Sequence, residues 1–327
     1  MQKRRRYHRR VLGYHDPVSR RPENTHAPLL GMLLKLASVL FLAAMVACIK
    51  YVGERIPPGQ IVFFRASVAL LVILLLAWQR GEILTLLRTR HWRSHAARSL
   101  AGTFSMYCWF TALGMIPLAE MTVISFTVPL FLTLLAMVFL GERIRWYRWA
   151  ALAIGFAGVI VIVGPPLAAA GGSPNGALIA LTSAVSAAFA LMFLRHMSGR
   201  EHALTITFYF FTTAAACAAL TALTGSWQTP SSVDWLLLLL TGVLGALGQL
   251  LMTYSYRYAE ASLLAPLDYT NLLVAIAIGY YLFQEVPHIA TWTGAPLVVA
   301  AGVIILWREY VNHRGPVADG EGEARRG

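Results

Sequence analysis

AEASLLAPLDYTNLLVAIAIGYYLFQE, residues 259–285, is apolar enough to cross a membrane, yet it carries Asp268, Tyr269 and Asn271 well inside. A span takes about 20 apolar residues. An ionisable residue at that depth is costly and by default marks a functional site. Pro266 removes a helical hydrogen bond two residues before the acid, so the backbone can open there. An earlier stretch, AEMTVISFTVPLFLTLLAMVFLGE at 119–142, is built alike. Both open with Ala-Glu, contain one proline (Pro129 in the earlier copy) and end with a glutamate at the water edge. This pairing predicts a duplicated membrane protein with a site between its halves.

The rest of the chain agrees. Of its 327 residues 57% are hydrophobic and 13% charged, against about 25% charged in soluble domains. Ten apolar runs are long enough to span: 29–50, 59–78, 97–115, 119–140, 146–164, 175–194, 203–223, 233–253, 260–283 and 289–307. The expected class is an all-α integral membrane protein with ten transmembrane helices.

A net charge of +12 could suggest nucleic acid, but the distribution points to topology. With a cytoplasmic N-terminus, the cytoplasmic segments hold 23 of the 27 Lys and Arg. The outer loops then hold Lys50 and Arg55, while Lys35 and Arg65 fall inside spans. That is the positive-inside bias, and it places both termini in the cytoplasm. Residues 1–28 form a basic tail suited to an anionic lipid surface. The first apolar run is too long for a signal peptide and reads as an uncleaved span. Cys48, Cys108 and Cys217 sit in apolar runs without CxxC spacing and read as core residues.

Several polar residues interrupt these runs. Lys35 lies about 9 Å above the cytoplasmic end of the first span, where it can snorkel to headgroups or face a cavity. Arg65 lies about 9–10 Å below the outer surface on the second span and must pair, line water or snorkel. Its height differs from that of Asp268 by roughly 8 Å, which makes Asp268 its expected partner. Tyr107 and Trp109, mid-span with Phe110, either pack or wall a site for a flat or cationic ligand. Glu120 opens the fourth span, where it can cap the helix dipole or take part in gating. Gln249 and Tyr254 are polar candidates on the eighth span, with interhelical bonding as the alternative for Gln249. Pro129 and Pro266 are candidate helix breaks.

Three resemblances recur in order: Ala-Glu at 119 and 259, a closing glutamate at 142 and 285, and AGVI at 157 and 301. The Pro/Gly-rich stretch around 166–174 divides the copies. This gives a first repeat at 29–165, a linker at 166–174, a second repeat at 175–308 and a tail at 309–327. Five spans per repeat is an odd number, so the second repeat enters the membrane inverted. Inverted repeats with a midplane site at their interface are typical of secondary transporters.

The residues FFRASVALL (63–71), ALGMIPLAEMTVISFTVPLF (112–131), FLGERI (139–144), AGVIVIVGP (157–165) and SYRYAEASLLAPLDYTNLLVAIAIGYYLFQE (255–285) resemble the drug/metabolite transporter superfamily, EamA family, ten-helix type. The resemblance implies a cavity between two four-helix halves, with the fifth and tenth helices at the rim. It also implies transport of small metabolites: amino acids and derivatives, metallophore-like opines, S-adenosylmethionine, riboflavin or drugs. Under it, Asp268 binds a substrate ammonium or takes a coupling proton. Export is the first expectation and uptake, of riboflavin or S-adenosylmethionine for instance, the second. The pattern departs at the close of the second copy, where Gln284-Glu285 stands in place of Gly-Glu.

A membrane-embedded enzyme or a sensor is the competing class. No HExxH, GxSxG or P-loop is present, and His91 and His95 have ligand spacing without a third ligand. No catalytic residue, metal or cofactor is expected. The expected partners are a small-molecule substrate, the bilayer, protons as coupling ion and a second copy of the chain as a homodimer, with no nucleic acid. The expected location is a bacterial inner membrane.

Overall fold

A computed structural model describes residues 28–140, 146–168, 174–197, 201–259, 264 and 267–314. All regular elements among them are helical. They are α1 (Pro28–Gly53), α2 (Pro58–Gln79), the short α3 (Ile83–Leu87), α4 (Trp92–Leu113), α5 (Leu118–Ser125), α6 (Val128–Leu140), α7 (Trp146–Ala168), α8 (Pro174–Met197), α9 (Ala203–Leu220), α10 (Ser232–Tyr258), α11 (Thr270–Phe283) and α12 (Ile289–Arg314). Pro266, Glu260 and Glu142 lie outside the described residues, as do the tails at 1–27 and 315–327.

Local chemistry sets several boundaries. Pro57 precedes α2 and Pro58 opens it, where a missing N–H costs nothing. Ser231 and Asp234 form a reciprocal capping box at the start of α10. Pro129 interrupts the fourth span as expected, but the break falls at Phe126–Thr127, just before it. The proline ring cannot coexist with a helical carbonyl four residues back, at Ser125, whereas it fits the first turn of α6. Thr127 ties the break by donating to the Ile124 carbonyl at 2.6 Å.

Six stretches among the described residues are long and apolar enough to cross a membrane: Pro28–Gly53, Pro58–Gln79, Leu118–Phe139, Asn175–Leu194, Leu204–Thr224 and Ser232–Met252. Shorter apolar helices run over Trp149–Ile162, Thr270–Phe283 and Ile289–Ile304. The helices expose large apolar side chains such as Leu71, Leu75, Leu236 and Leu239, more than a soluble surface tolerates. Trp78, Trp92, Trp146 and Trp292 stand exposed near helix ends, where a lipid interface favours indoles.

The helices pair across the chain's midpoint: α1 with α10, α2 with α9, α4 with α8, α5 with α11, and α7 with α12. Every pair is antiparallel. Along α1 and α10, Ser38 donates to the Gly248 carbonyl and Gly31 meets Ala259. Along α4 and α8, Ser105 and Ser183 each donate to the other's carbonyl at 2.9 Å. Along α7 and α12, Gly155 meets Ala301 while Ile162 meets Gly294. Helix pairing in lipid depends on such small-residue contacts, because the solvent supplies no hydrophobic drive.

Candidate functional site

Lys35 Nζ lies 2.6 Å from Asp268 Oδ1, with side-chain exposures of 2% and 49%. The lysine therefore does not snorkel outward; it turns into the bundle. It thus takes the inward of its two expected courses, and one expectation is corrected: Lys35 rather than Arg65 is the partner of Asp268. The reason is depth. Arg65 lies at the level of Met45, both meeting Gly245 of α10. Met45 and Lys35 are ten positions apart on α1, about 15 Å of rise. Close packing around Gly31, where a Cβ would lie 2.6 Å from that of Ala259, brings α1 near the end of α10 at this depth.

Tyr269, next to Asp268, turns its ring edge-on to Phe126 at the α5–α6 break, with centroids 5.2 Å apart. Its hydroxyl seats against Gly302, where a Cβ would collide with it. Trp109 donates from Nε1 to Ser125 Oγ at 3.1 Å, on the other side of the same break. Tyr269 and Trp109 thus meet at the point where the fourth span opens, and Asp268, next to Tyr269 in sequence, pairs with Lys35. Asn271 is half-buried, the second residue of α11, with no side-chain partner among the described residues.

Arg65 sits apart from that group. Its Nη1 lies 2.7 Å from Met106 Sδ, and the guanidinium stands 5.5 Å from the Phe110 ring centroid. Tyr107 faces elsewhere, into an apolar groove lined by Val62, Leu100, Phe104 and Ala218. Gln249 and Tyr254 are exposed on α10, each with a partner of its own. Glu120 is buried and accepts from Thr291 Oγ1 at 3.4 Å, across the α5–α12 contact. No group of three or more His, Cys, Asp or Glu arranged to hold a metal occurs among the described residues.

Sequence reasoning passed over a second pair. Lys50 Nζ lies 2.6 Å from Glu285 Oε1 and also donates to the Leu113 and Ile116 carbonyls. Glu285 Oε2 accepts from the Leu118 N–H at 2.9 Å. One ion pair thereby ties the end of α1, the α4–α5 turn and the end of α11. The signal was present in the closing glutamate. What hid it was Gln284, which takes φ +55°, a left-handed cap that favours glycine. The cap keeps its shape, so the glutamate still lands on Lys50.

Comparison with known proteins places these helices in a family. The EamA-like transporter family matches residues 29–164 and again 174–307. A pseudopaline exporter of Pseudomonas aeruginosa is 31% identical over 280 residues, covering 84% of this chain and 95% of its own length. An S-adenosylmethionine uptake transporter of Rickettsia bellii is 29% identical, covering 80% of this chain and 87% of its own. A riboflavin transporter of Rhizobium johnstonii is 30% identical, covering 71% and 76% respectively. One crystal structure superposes with a TM-score of 0.59 over 86% of this chain and 98% of its own at 21% identity, which shows a shared fold.

Proposed function

The chain belongs to the EamA-like transporter family and is a multi-pass, all-helical membrane protein, and from that premise we propose that it is a secondary transporter moving a small polar metabolite by alternating access. The observation that carries the proposal is the Lys35–Asp268 pair. A nearly inaccessible lysine inside apolar helices is neutralised by a carboxylate that the protein itself covers only by half. Such a carboxylate can exchange its partner: a substrate ammonium or a proton competes with Lys35 for the same oxygens.

The helix pairing supports ten spans in two inverted repeats, 29–165 and 175–308. Let α1, α2, α4, α5–α6 and α7 correspond in order to α8, α9, α10, α11 and α12. Exchanging each helix for its counterpart turns α1–α10 into α8–α4 and leaves α2–α9, α5–α11 and α7–α12 unchanged. All of these contacts occur. A two-fold axis in the membrane plane has that consequence. The clustering of basic residues supports cytoplasmic termini in a bacterial inner membrane. Protons are the proposed coupling ion.

Export is the first direction proposed, in line with the Pseudomonas relative; uptake, for which the Rickettsia relative is named, is the second. The test is solute flux in sealed vesicles, with metabolites profiled inside and outside. The wild-type chain should redistribute at least one small metabolite, and Asp268→Asn should sharply slow that flux. Chemical conversion of a solute without redistribution would point to an enzyme and overturn the reading.

A further inference from the structure

Among the described residues, Arg65 is a fixed cation inside the bundle that no carboxylate neutralises. Residues of α1 (Met45), α4 (Met106, Phe110) and α10 (Gly245) surround its guanidinium, so it faces the interior and not the lipid. Among the described residues no acid lies within ion-pair distance. Three carboxylates of the outer half are engaged elsewhere, Glu285 with Lys50, Asp234 with Arg55 and Glu120 with Thr291. Asp268 is held by Lys35. Of Lys35, Asp268 and Arg65, the first two cancel each other and Arg65 keeps its charge without a carboxylate beside it among the described residues.

A guanidinium offers five N–H donors in a planar fork. Among the described residues the single acceptor in contact is a thioether sulfur, a weak one. Arginine stays charged at any working pH and matches a carboxylate in a bidentate geometry. The guanidinium itself is enclosed by the bundle, so its donors lie away from bulk water and a ligand must reach them from within. A Cβ at position 245 would lie 3.8 Å from Arg65 Nε and 2.8 Å from Met45 Sδ. Glycine there lets α10 pack directly against Met45, next to the guanidinium.

We propose that Arg65 is the anion subsite of this interior and takes the carboxylate of the transported solute, which is therefore a carboxylate-bearing amino compound of neutral or negative net charge. The subsite rests on the transport reading above. The solute's ammonium is placed at Asp268, deeper along α1. The two charged points are separated by roughly 15 Å of helix rise, shortened by the reach of the Arg65 and Lys35 side chains. An elongated solute with amine and acid at opposite ends fits that separation. A cation without a carboxylate meets repulsion from Arg65.

The experiment is untargeted mass spectrometry of solutes redistributed by sealed vesicles carrying wild type, Arg65→Lys, Arg65→Gln or Asp268→Asn. The solutes that respond to the wild-type chain serve as the probes. Every responding solute should carry a carboxylate. Arg65→Gln should raise the apparent KM for them by about ten- to a hundredfold, as loss of a charge-assisted contact does. Arg65→Lys should recover part of that loss. Responding solutes that lack a carboxylate, or an unchanged KM in Arg65→Gln, would overturn the subsite while leaving transport intact. Absence of any redistribution by wild type would remove the transport reading and the subsite with it. Should Arg65→Gln not fold by size-exclusion profile, the KM of Arg65→Lys decides alone, with no change counting against the proposal.

Discussion

Lys35 illustrates which part of a membrane site a sequence can reveal. Counting 1.5 Å per residue gives a charge its depth, so Lys35, Arg65 and Asp268 stand out at once. Which helices touch is a long-range property, and depth alone assigned Asp268 the wrong cation. The pair makes a sharp prediction. Asp268→Ala leaves Lys35 buried without a counter-charge and should lower stability by about 1–3 kcal/mol. That is less than the loss for a fully buried pair, because the protein covers only half of the carboxylate. Adding Lys35→Met should restore most of the loss in a detergent melting experiment while flux stays low. Persistent destabilisation of the double variant would show that the pair does more than cancel charge. At Gln284 the opposite sign is expected. Glycine at this left-handed position should stabilise the chain by about 1 kcal/mol, read as a higher melting midpoint. His95 precedes the apolar part of α4, and burial pushes its imidazole below the ordinary 6.5. Glu201, 3.8 Å away, opposes that shift, while His91 and Arg98 reinforce it. The folded state therefore holds fewer protons than the unfolded one just below pH 6.5, and stability falls as pH drops through that value. Amide protection over 92–103, corrected for the intrinsic pH dependence of exchange, should fall from pH 7 to pH 5.5 in wild type and lose that slope in His95→Phe.

At the scale of elements, the AGVI repeat acquires a physical meaning. Gly158 packs on α12 so closely that a Cβ would lie 2.8 Å from the Gly294 carbonyl oxygen and 2.9 Å from Leu297 Cβ. Its counterpart Gly302 leaves room for the Tyr269 hydroxyl. The repeated glycine was legible; its two different uses were not, because each depends on a neighbour from elsewhere in the chain. Gly158→Leu should push α7 from α12 and cost about 1–3 kcal/mol, as overpacking does. Gly164, a turn and a half further along α7, has open space around its Cβ. Gly164→Ala should leave the melting midpoint unchanged or slightly higher. If both substitutions behave alike, the close approach of α7 and α12 is not what holds these helices together. The fourth span shows the converse case. Proline chemistry alone foretold the interruption near its middle, and only the location of the break, just ahead of the ring, needed coordinates.

Across the whole molecule, the polar ties divide unevenly between the two ends of the bundle. At the end read as outer, Lys50–Glu285, Arg55–Asp234 at 2.7 Å, and the Gln60–Gln228 exchange at 2.9 and 3.0 Å link α1, α2, α10, α11 and the turn before α5. At the other end, Thr89 and Tyr209 tie the α3–α4 connection to α9 and its approach. Among the described residues those inner ties do not reach α1 or α11. Asp268 keeps half its surface accessible although the outer end is clasped. Its exposure is therefore expected from the opposite side, the cytoplasmic one in the proposed topology. After replacement of Cys48, Cys108 and Cys217, an Asp268→Cys variant should react with a membrane-impermeant thiol reagent in inside-out vesicles. It should resist the reagent in right-side-out vesicles. Removing the clasp with Lys50→Met should raise labelling from outside, because the ends of α1 and α11 lose their shared tie. Equal labelling from both sides in the clasped protein would mean a continuous path, and alternating access would no longer describe this bundle.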